Sequence, residues 1–250
     1  MLGIIKLIAG LDQPYELAID PNDLGLLIAC ATAIYKLDCV SRNWGFFFCE
    51  LYADDVEIPI SLQLTVTVQH IRGLAVTHQS SIFFVDSSTG GLYHHNTQGT
   101  MITTQILSGL SQPYAVAHDG TSFDLYISAV GGAEVYRLPC TEKNDVECTN
   151  YASSSDLQEW MSTIQVYGLE VDDNHTVILA NTNTRSLLAT RDTNAGTNVS
   201  THPKPVVVSS TLSSWSGEDT AFPKYLTVDR QTCNIYVTTY EVGKWAGCCL

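Results

Sequence analysis

The stretch "GLDQPYELAIDPNDLGLLIACATAIYKLDC" (Gly10 to Cys39) returns in altered form as "GLSQPYAVAHDGTSFDLYISAVGGAEVYRLPC" (Gly109 to Cys140). These two copies belong to a longer series. A strand-like segment ending in a polar residue recurs as "YELAID", "RGLAVT", "YAVAHD", "YGLEVD" and "KYLTVD". After a short turn each is followed by a β-branched or aromatic run: "LGLLIAC", "SIFFVDS", "DLYISA", "TVILANT" and "NIYVTT". Third segments ("AIYKLD", "GLYHHN", "EVYRLP", "SLLATR") and bridging fourth segments ("LQLTVTV", "MITTQIL", "STIQ", "PVVVSS") complete most units. Aligned on Leu17, Leu74, Val116, Leu169 and Leu226, the units are spaced by 57, 42, 53 and 57 residues. Four short antiparallel strands recurring at roughly 40 to 50 residues predict an all-β chain folded as a β-propeller. One four-stranded blade cannot cover both its faces, whereas radial stacking covers each face with a neighbour.

The alternation within the first strand agrees with blades. Positions equivalent to Leu17 and Ile19 are large and apolar, while the position between them is Ala18, Ala75, Ala117 or Thr227, with Glu170 the exception. Side chains alternate across a strand, so one face of each unit is bulky and the other lean. The predicted organisation is a single propeller domain over residues 1–250. Its units run over about 11–68, 69–108, 109–165, 166–210 and 211–250, with 1–10 as the outer strand of a neighbouring or closing blade. The five units either close as a five-bladed ring, with Ile5–Ile8 completing the last blade, or belong to a six-bladed ring with one blade absent. Helical patterning is confined to a short turn in "SSSDLQEWMS", and Gly90-Gly91 and Gly131-Gly132 read as hairpin turns.

Charge and cysteine usage narrow the function classes. Twelve basic against 26 acidic residues give a formal charge of −14. That field repels phosphate backbones and anionic membranes, which argues against nucleic-acid binding. No run of eighteen apolar residues is present to span a bilayer, and "MLGIIKLIAG" reads as a strand rather than a targeting segment. Cys39 and Cys49 follow the first quoted repeat, and Cys140 and Cys148 follow the second. Two pairs at equivalent places predict two local disulfides and an extracellular or secretory-pathway setting. Sequons at Asn174 and Asn198 point the same way. Cys30, Cys233, Cys248 and Cys249 receive no assignment from sequence.

The first and third units, through "GL-x-x-P", "YELAID" and "AIYKLD", resemble the six-bladed propellers of the low-density-lipoprotein-receptor YWTD and NHL-repeat type. The resemblance implies a chain that is complete or partial relative to a six-bladed ring, and a recognition role for its loops. The second-strand aspartate of that pattern is matched by Asp86; Cys30, Ala129, Asn181 and Thr239 stand in the equivalent places. "PYELAID" is also similar to the gluconolactonase and regucalcin group, which holds a divalent cation with a glutamate early in the first strand. That resemblance implies Glu16 as a ligand for a divalent cation, without matching Asn and Asp motifs elsewhere.

Candidate channel or ligand residues are therefore Glu16, Arg72, Asp86, His118 and Glu170. Glu16 and Arg72 fall near strand starts, where a propeller opens its channel. His118 and Glu170 break the repeat, and a buried imidazole or carboxylate needs a partner. They would face each other if the bulky face of unit three packed on the lean face of unit four. Asp20, Asp119, Asp172 and Asp229 end their strands and read as turn caps, and His94-His95 reads as surface. No GxSxG, P-loop, HExxH or Rossmann pattern occurs, and no catalytic residue is assigned. The expected function is a non-catalytic recognition module for a protein or glycan ligand. The alternative is a divalent-cation-dependent hydrolase of the lactonase or esterase type, of the gluconolactonase-like propeller group, with calcium as the candidate ion.

Overall fold

The computed structural model describes residues 11, 13–22, 25–37, 40–41, 47–48, 60–65, 70–79, 81–97, 102–145, 147–172, 174–197, 205–209, 222–229, 234–240 and 245–249. The repeat units fold as antiparallel blades. In blade 1, β1 (Glu16–Ile19), β2 (Leu26–Ala29) and β3 (Ala33–Leu37) lead through a small hairpin, β4 (Val40–Ser41) and β5 (Phe47–Phe48), to β6 (Ile60–Thr65). Blade 2 holds β7 (Ile71–Val76), β8 (Ile82–Asp86), β9 (Gly91–Asn96) and β10 (Ile102–Leu107). Blade 3 holds β11 (Pro113–His118), β12 (Leu125–Ala129) and β13 (Glu134–Leu138). A second hairpin, β14 (Cys140–Lys143) and β15 (Cys148–Tyr151), precedes its fourth strand β16 (Gln158–Ser162). Blade 4 runs β17 (Val166–Val171), β18 (Thr176–Asn181), β19 (Ser186–Arg191) and β20 (Val206–Ser209). Blade 5 shows three strands, β21 (Phe222–Asp229), β22 (Asn234–Tyr240) and β23 (Trp245–Cys249). The inner strands β1, β7, β11, β17 and β21 lie against one another in chain order around an axial channel.

The blades stack with one polarity. Leu74 of blade 2 packs on Leu27, Ala29 and Ile34 of blade 1, and Val116 of blade 3 on Ala75, Phe83 and Val85 of blade 2. Leu169 and Val171 of blade 4 pack on Ala115, Ala117 and Tyr126 of blade 3. Leu226 of blade 5 packs on Ile178 and Ala180 of blade 4. Each bulky face thus covers the lean face of the blade before it, and each Leu or Val so buried contributes about 1.5–3 kcal/mol. The lean face allows close approach: a Cβ added at Gly73 would stand 2.7 Å from the Ala115 Cα and the Val116 N. Leu17 and Ile19, the bulky face of β1, are 48% and 61% exposed.

The structure revises several sequence readings. The fourth strand of blade 3 is β16 rather than "STIQ": a 3-10 turn at Ser154–Asp156 aims the chain so that Trp160 is fully buried and Ser162 pairs with Glu134. Stacking polarity also turns His118 and Glu170 towards different neighbours, so the conditional facing pair does not arise. His118 stacks on Phe83 of blade 2, while Glu170 lies on the face of β17 opposite Leu169 and Val171, towards blade 5. His95 is buried and hydrogen-bonded to Thr103 rather than a surface residue, and His94 is half-buried, stacked on Phe83 at 4.7 Å. Cys140 and Cys148 form a disulfide across the β14–β15 hairpin. Cys39, Cys49, Cys233, Asn198 and Ile5–Ile8 lie outside the described residues.

Candidate functional site

An irregularity repeated from blade to blade builds one end of the channel. Ladder pairing of the inner strand with the second strand skips a residue between Ile71 and Gly73, between Pro113 and Ala115, between Val166 and Gly168, and between Pro223 and Tyr225. A bulge frees its extra residue from the ladder and re-aims its side chain. The freed positions are Arg72, Tyr114, Tyr167 and Lys224, all two residues before the repeat's aligned Leu or Val. Tyr15 holds the same place ahead of β1, with its N–H donating to Ala29 O at 2.8 Å.

The described side chains of this set converge. The Arg72 guanidinium lies 3.7 Å over the Tyr15 ring and 5.5 Å from the Tyr114 ring. Tyr114 meets Tyr167 edge-on, with centroids 4.5 Å apart. Its hydroxyl also lies 3.1 Å from that of Tyr225, which comes from the position beside the blade 5 bulge. Contacts from Tyr15 to Tyr225 link all five blades, and only side chains pointing at a common axis can make them. Burial raises the Tyr114 and Tyr225 pKa values, so both phenols remain protonated. One hydroxyl of the pair donates to the other.

Glu16 sits just inside this collar. Its carboxylate accepts the Leu74 N–H of the next inner strand at 2.7 Å. Burial raises the Glu16 pKa well above the usual 4.5, and the nearby Glu170 charge adds to the rise against the Leu74 hydrogen bond. Glu16 therefore keeps its proton at pH values where ordinary glutamates have lost theirs. Beyond the collar the inner strands enclose a cavity of about 330 Å³, lined by Glu16, His118 and Glu170 among apolar neighbours such as Leu74 and Val116.

The remaining sequence-derived candidates lie elsewhere. Asp86 is fully buried at the end of β8, where it accepts from Ser88 N–H and O–H, Thr89 O–H and His70 N–H. Burial works to raise its pKa, but these hydrogen bonds outweigh burial and hold it low. Asp20 and Asp172 cap their turns through Asn22 N–H and Asn174 N–H. Asp119 caps Thr121 and Ser122 and also meets the His175 Nδ1 of blade 4 at 2.5 Å. Asn174, in the first sequon, is exposed. Among the described residues no group of three His, Cys, Asp or Glu is placed to hold a metal ion, and no helix is long and apolar enough to cross a membrane.

Two features escape the sequence reading. The collar tyrosines are visible as a column two residues before the aligned Leu or Val, but the bulge that turns them inward leaves no residue signature. The second is a buried charge cluster. Arg137, fully buried, bonds Asp124 at 2.7 Å, lies 3.5 Å from Asp192, and donates to the carbonyls of Asn194 and Thr197 in blade 4. The "YKL" of unit one and "YRL" of unit three were its only trace; Lys36 likewise pairs with Asp20, at 3.0 Å.

No protein-family model matches the chain, and no curated protein matches it in sequence. Solved structures do match. A nidogen propeller from a nidogen/laminin complex aligns with a TM-score of 0.58 at 14% identity, over 86% of this chain and 70% of that one. A gluconolactonase from Xanthomonas campestris aligns with a TM-score of 0.59 at 12% identity, over 90% and 69%. A gluconolactonase candidate from structural genomics gives 0.65 at 13% identity, over 98% and 80%. At these identities the likeness establishes the fold, and the chain is a β-propeller.

Proposed function

We propose that this chain is a non-catalytic recognition propeller of the secretory pathway or an ectodomain, and that it grips a protein or glycan ligand at the collar. The observation that carries this reading is the convergence of Tyr15, Arg72, Tyr114, Tyr167 and Tyr225 on one channel mouth. Tyrosine and arginine supply large, stiff contact area together with hydrogen-bond donors, the composition that dominates recognition surfaces. The Cys140–Cys148 disulfide and the exposed Asn174 sequon support an oxidising compartment. The test is binding of the labelled protein to glycan and extracellular-protein arrays, beside a Tyr114→Ala variant of matched thermal stability. Array signals that fall at least about tenfold in the variant are expected, since a central aromatic anchor is worth about 2 kcal/mol or more. Signals identical in the two proteins, or none from either, would end the reading.

A second reading has one observation in its favour: Glu16, His118 and Glu170 line the same cavity. In a calcium-dependent lactonase or esterase, a cation held there would polarise the ester carbonyl while a carboxylate or imidazole activates water. Against it, Glu16 already serves the Leu74 amide and retains its proton, so a cation must displace both. Calcium titration by calorimetry, followed by a lactone and aryl-ester screen, decides it: turnover that requires calcium and falls in Glu170→Gln would favour this reading over the first.

A further inference from the structure

The turns that join the first and second strands of the blades lie at the channel end opposite the collar. In blade 4 the extended chain from Tyr167 in the collar to Asp172 puts that end about 15 Å away, at roughly 3.3 Å per residue. The cavity reaches the same end. Pro21, His78 and Gly120, each the fourth residue past the aligned Leu or Val of blades 1 to 3, are among its lining residues. Asn174 is the fifth residue past Leu169, so the repeat places it beside this opening in blade 4.

The turn that carries Asn174 is fixed, and its tip is bare. The Asp172 carboxylate accepts the N–H groups of both Asn174 and Thr176 at 2.8 Å. His175 between them takes a left-handed backbone with φ 61°, and Asp119 of blade 3 holds its ring at 2.5 Å. Asn174 itself is exposed, and its side-chain amide enters no hydrogen bond among the described residues. Asn174-His-Thr176 is the acceptor triplet for an N-linked sugar. A bulky, hydrated substituent on this amide displaces no contact among the described residues, while the residues around it stay anchored.

We infer that Asn174 carries an N-linked oligosaccharide that screens the channel end opposite the collar, so that a macromolecular ligand reaches the propeller from the collar side. In the attachment, Asn174 Nδ2 displaces polyprenyl pyrophosphate from the anomeric carbon of a lipid-linked oligosaccharide. The N–C bond forms, the C–O bond to the pyrophosphate breaks, and the amide loses one proton. This inference rests on the secretory-pathway part of the recognition reading and adds a direction of approach.

The test starts with the full chain led into the secretory pathway of glycosylating cells by a cleavable leader. The glycan is released by a peptide N-glycanase in heavy-oxygen water, and the peptides are read by mass spectrometry. Labelled aspartate is expected at position 174, and Asn174→Gln should lose that label. An unmodified Asn174 peptide, in secreted or retained chain, would overturn the inference and leave the arrays to judge recognition alone. Hydroxyl-radical footprinting of the glycosylated and deglycosylated protein then reads the screening. Oxidation of the exposed His78 at the opening should fall when the glycan is present, while that of Tyr15 at the collar should not change. Equal His78 oxidation in the two forms, or a loss at Tyr15 instead, would overturn the screening even with the glycan attached. Array ligands should bind both forms alike, and a signal that appears only after deglycosylation would overturn the direction of approach.

Discussion

Glu16 holds an unusual place for a carboxyl group: it lies on the lean side of β1, where Gly73, Ala115 and Gly168 stand in the following blades. Its oxygen satisfies a backbone N–H on the channel-facing edge of β7, a group that the ladder to β8 leaves without a partner. The protonated form suits this setting, because burial and the Glu170 charge both oppose ionisation. A folded-state pKa raised above the unfolded value contributes stability below the unfolded value and loses it as pH rises through the folded one. Glu16→Gln, which mimics the neutral carboxyl, should therefore match the parent's Tm near pH 4 and exceed it near pH 7–8. Asp86 and Asp119 act in the opposite sense, since their pKa values are held low and their stabilisation fades in acid. Both are common to the two proteins and cancel in the difference. Thermal melts across pH measure it, and a Tm difference that does not change with pH would contradict the assignment.

Between elements, two kinds of contact join the blades, and they differ in how legible they were. Apolar stacking was readable because alternation has a fixed period of two, so bulky and lean faces show in any one strand. Its direction was not readable, because a strand looks alike whichever neighbour covers it; His118 and Glu170 were left undecided for that reason. The polar contact was invisible, since Arg137, Asp124 and Asp192 sit in three different segments and meet only in the folded chain. There Arg137 joins β13 to the loop after β19; the Tyr126 hydroxyl also donates to Asp192, and the Gly196 and Cys140 amides donate to Asp124. Removing one member of such a cluster strands the others in a dry interior, at a cost of about 3–5 kcal/mol. Arg137→Ala should accordingly lower Tm by roughly 10 °C in a chain of this length. A calorimetric scan reads it, and a shift under about 2 °C would mean that water reaches the cluster.

At the scale of the molecule, one backbone irregularity placed in successive repeats turns a column of the sequence into a ring in space. The alternation that packs the blades and the bulge that opens the collar belong to the same six-residue segment, so fold and site share one origin. The sequence displayed the column as Tyr15, Arg72, Tyr114 and Tyr167 but not its convergence, which exists only once the blades surround an axis. The disulfide pairing of Cys140 with Cys148 was legible because both lie on one short connection. Photo-oxidative dityrosine cross-linking of the dilute protein, read by peptide mass spectrometry, tests the convergence directly, because it joins only phenol rings in near contact. The account predicts intramolecular Tyr114–Tyr167 and Tyr114–Tyr225 links, tying blade 3 to blades 4 and 5. Their absence, with links forming only between tyrosines close in sequence, would contradict a ring of blades about a common channel.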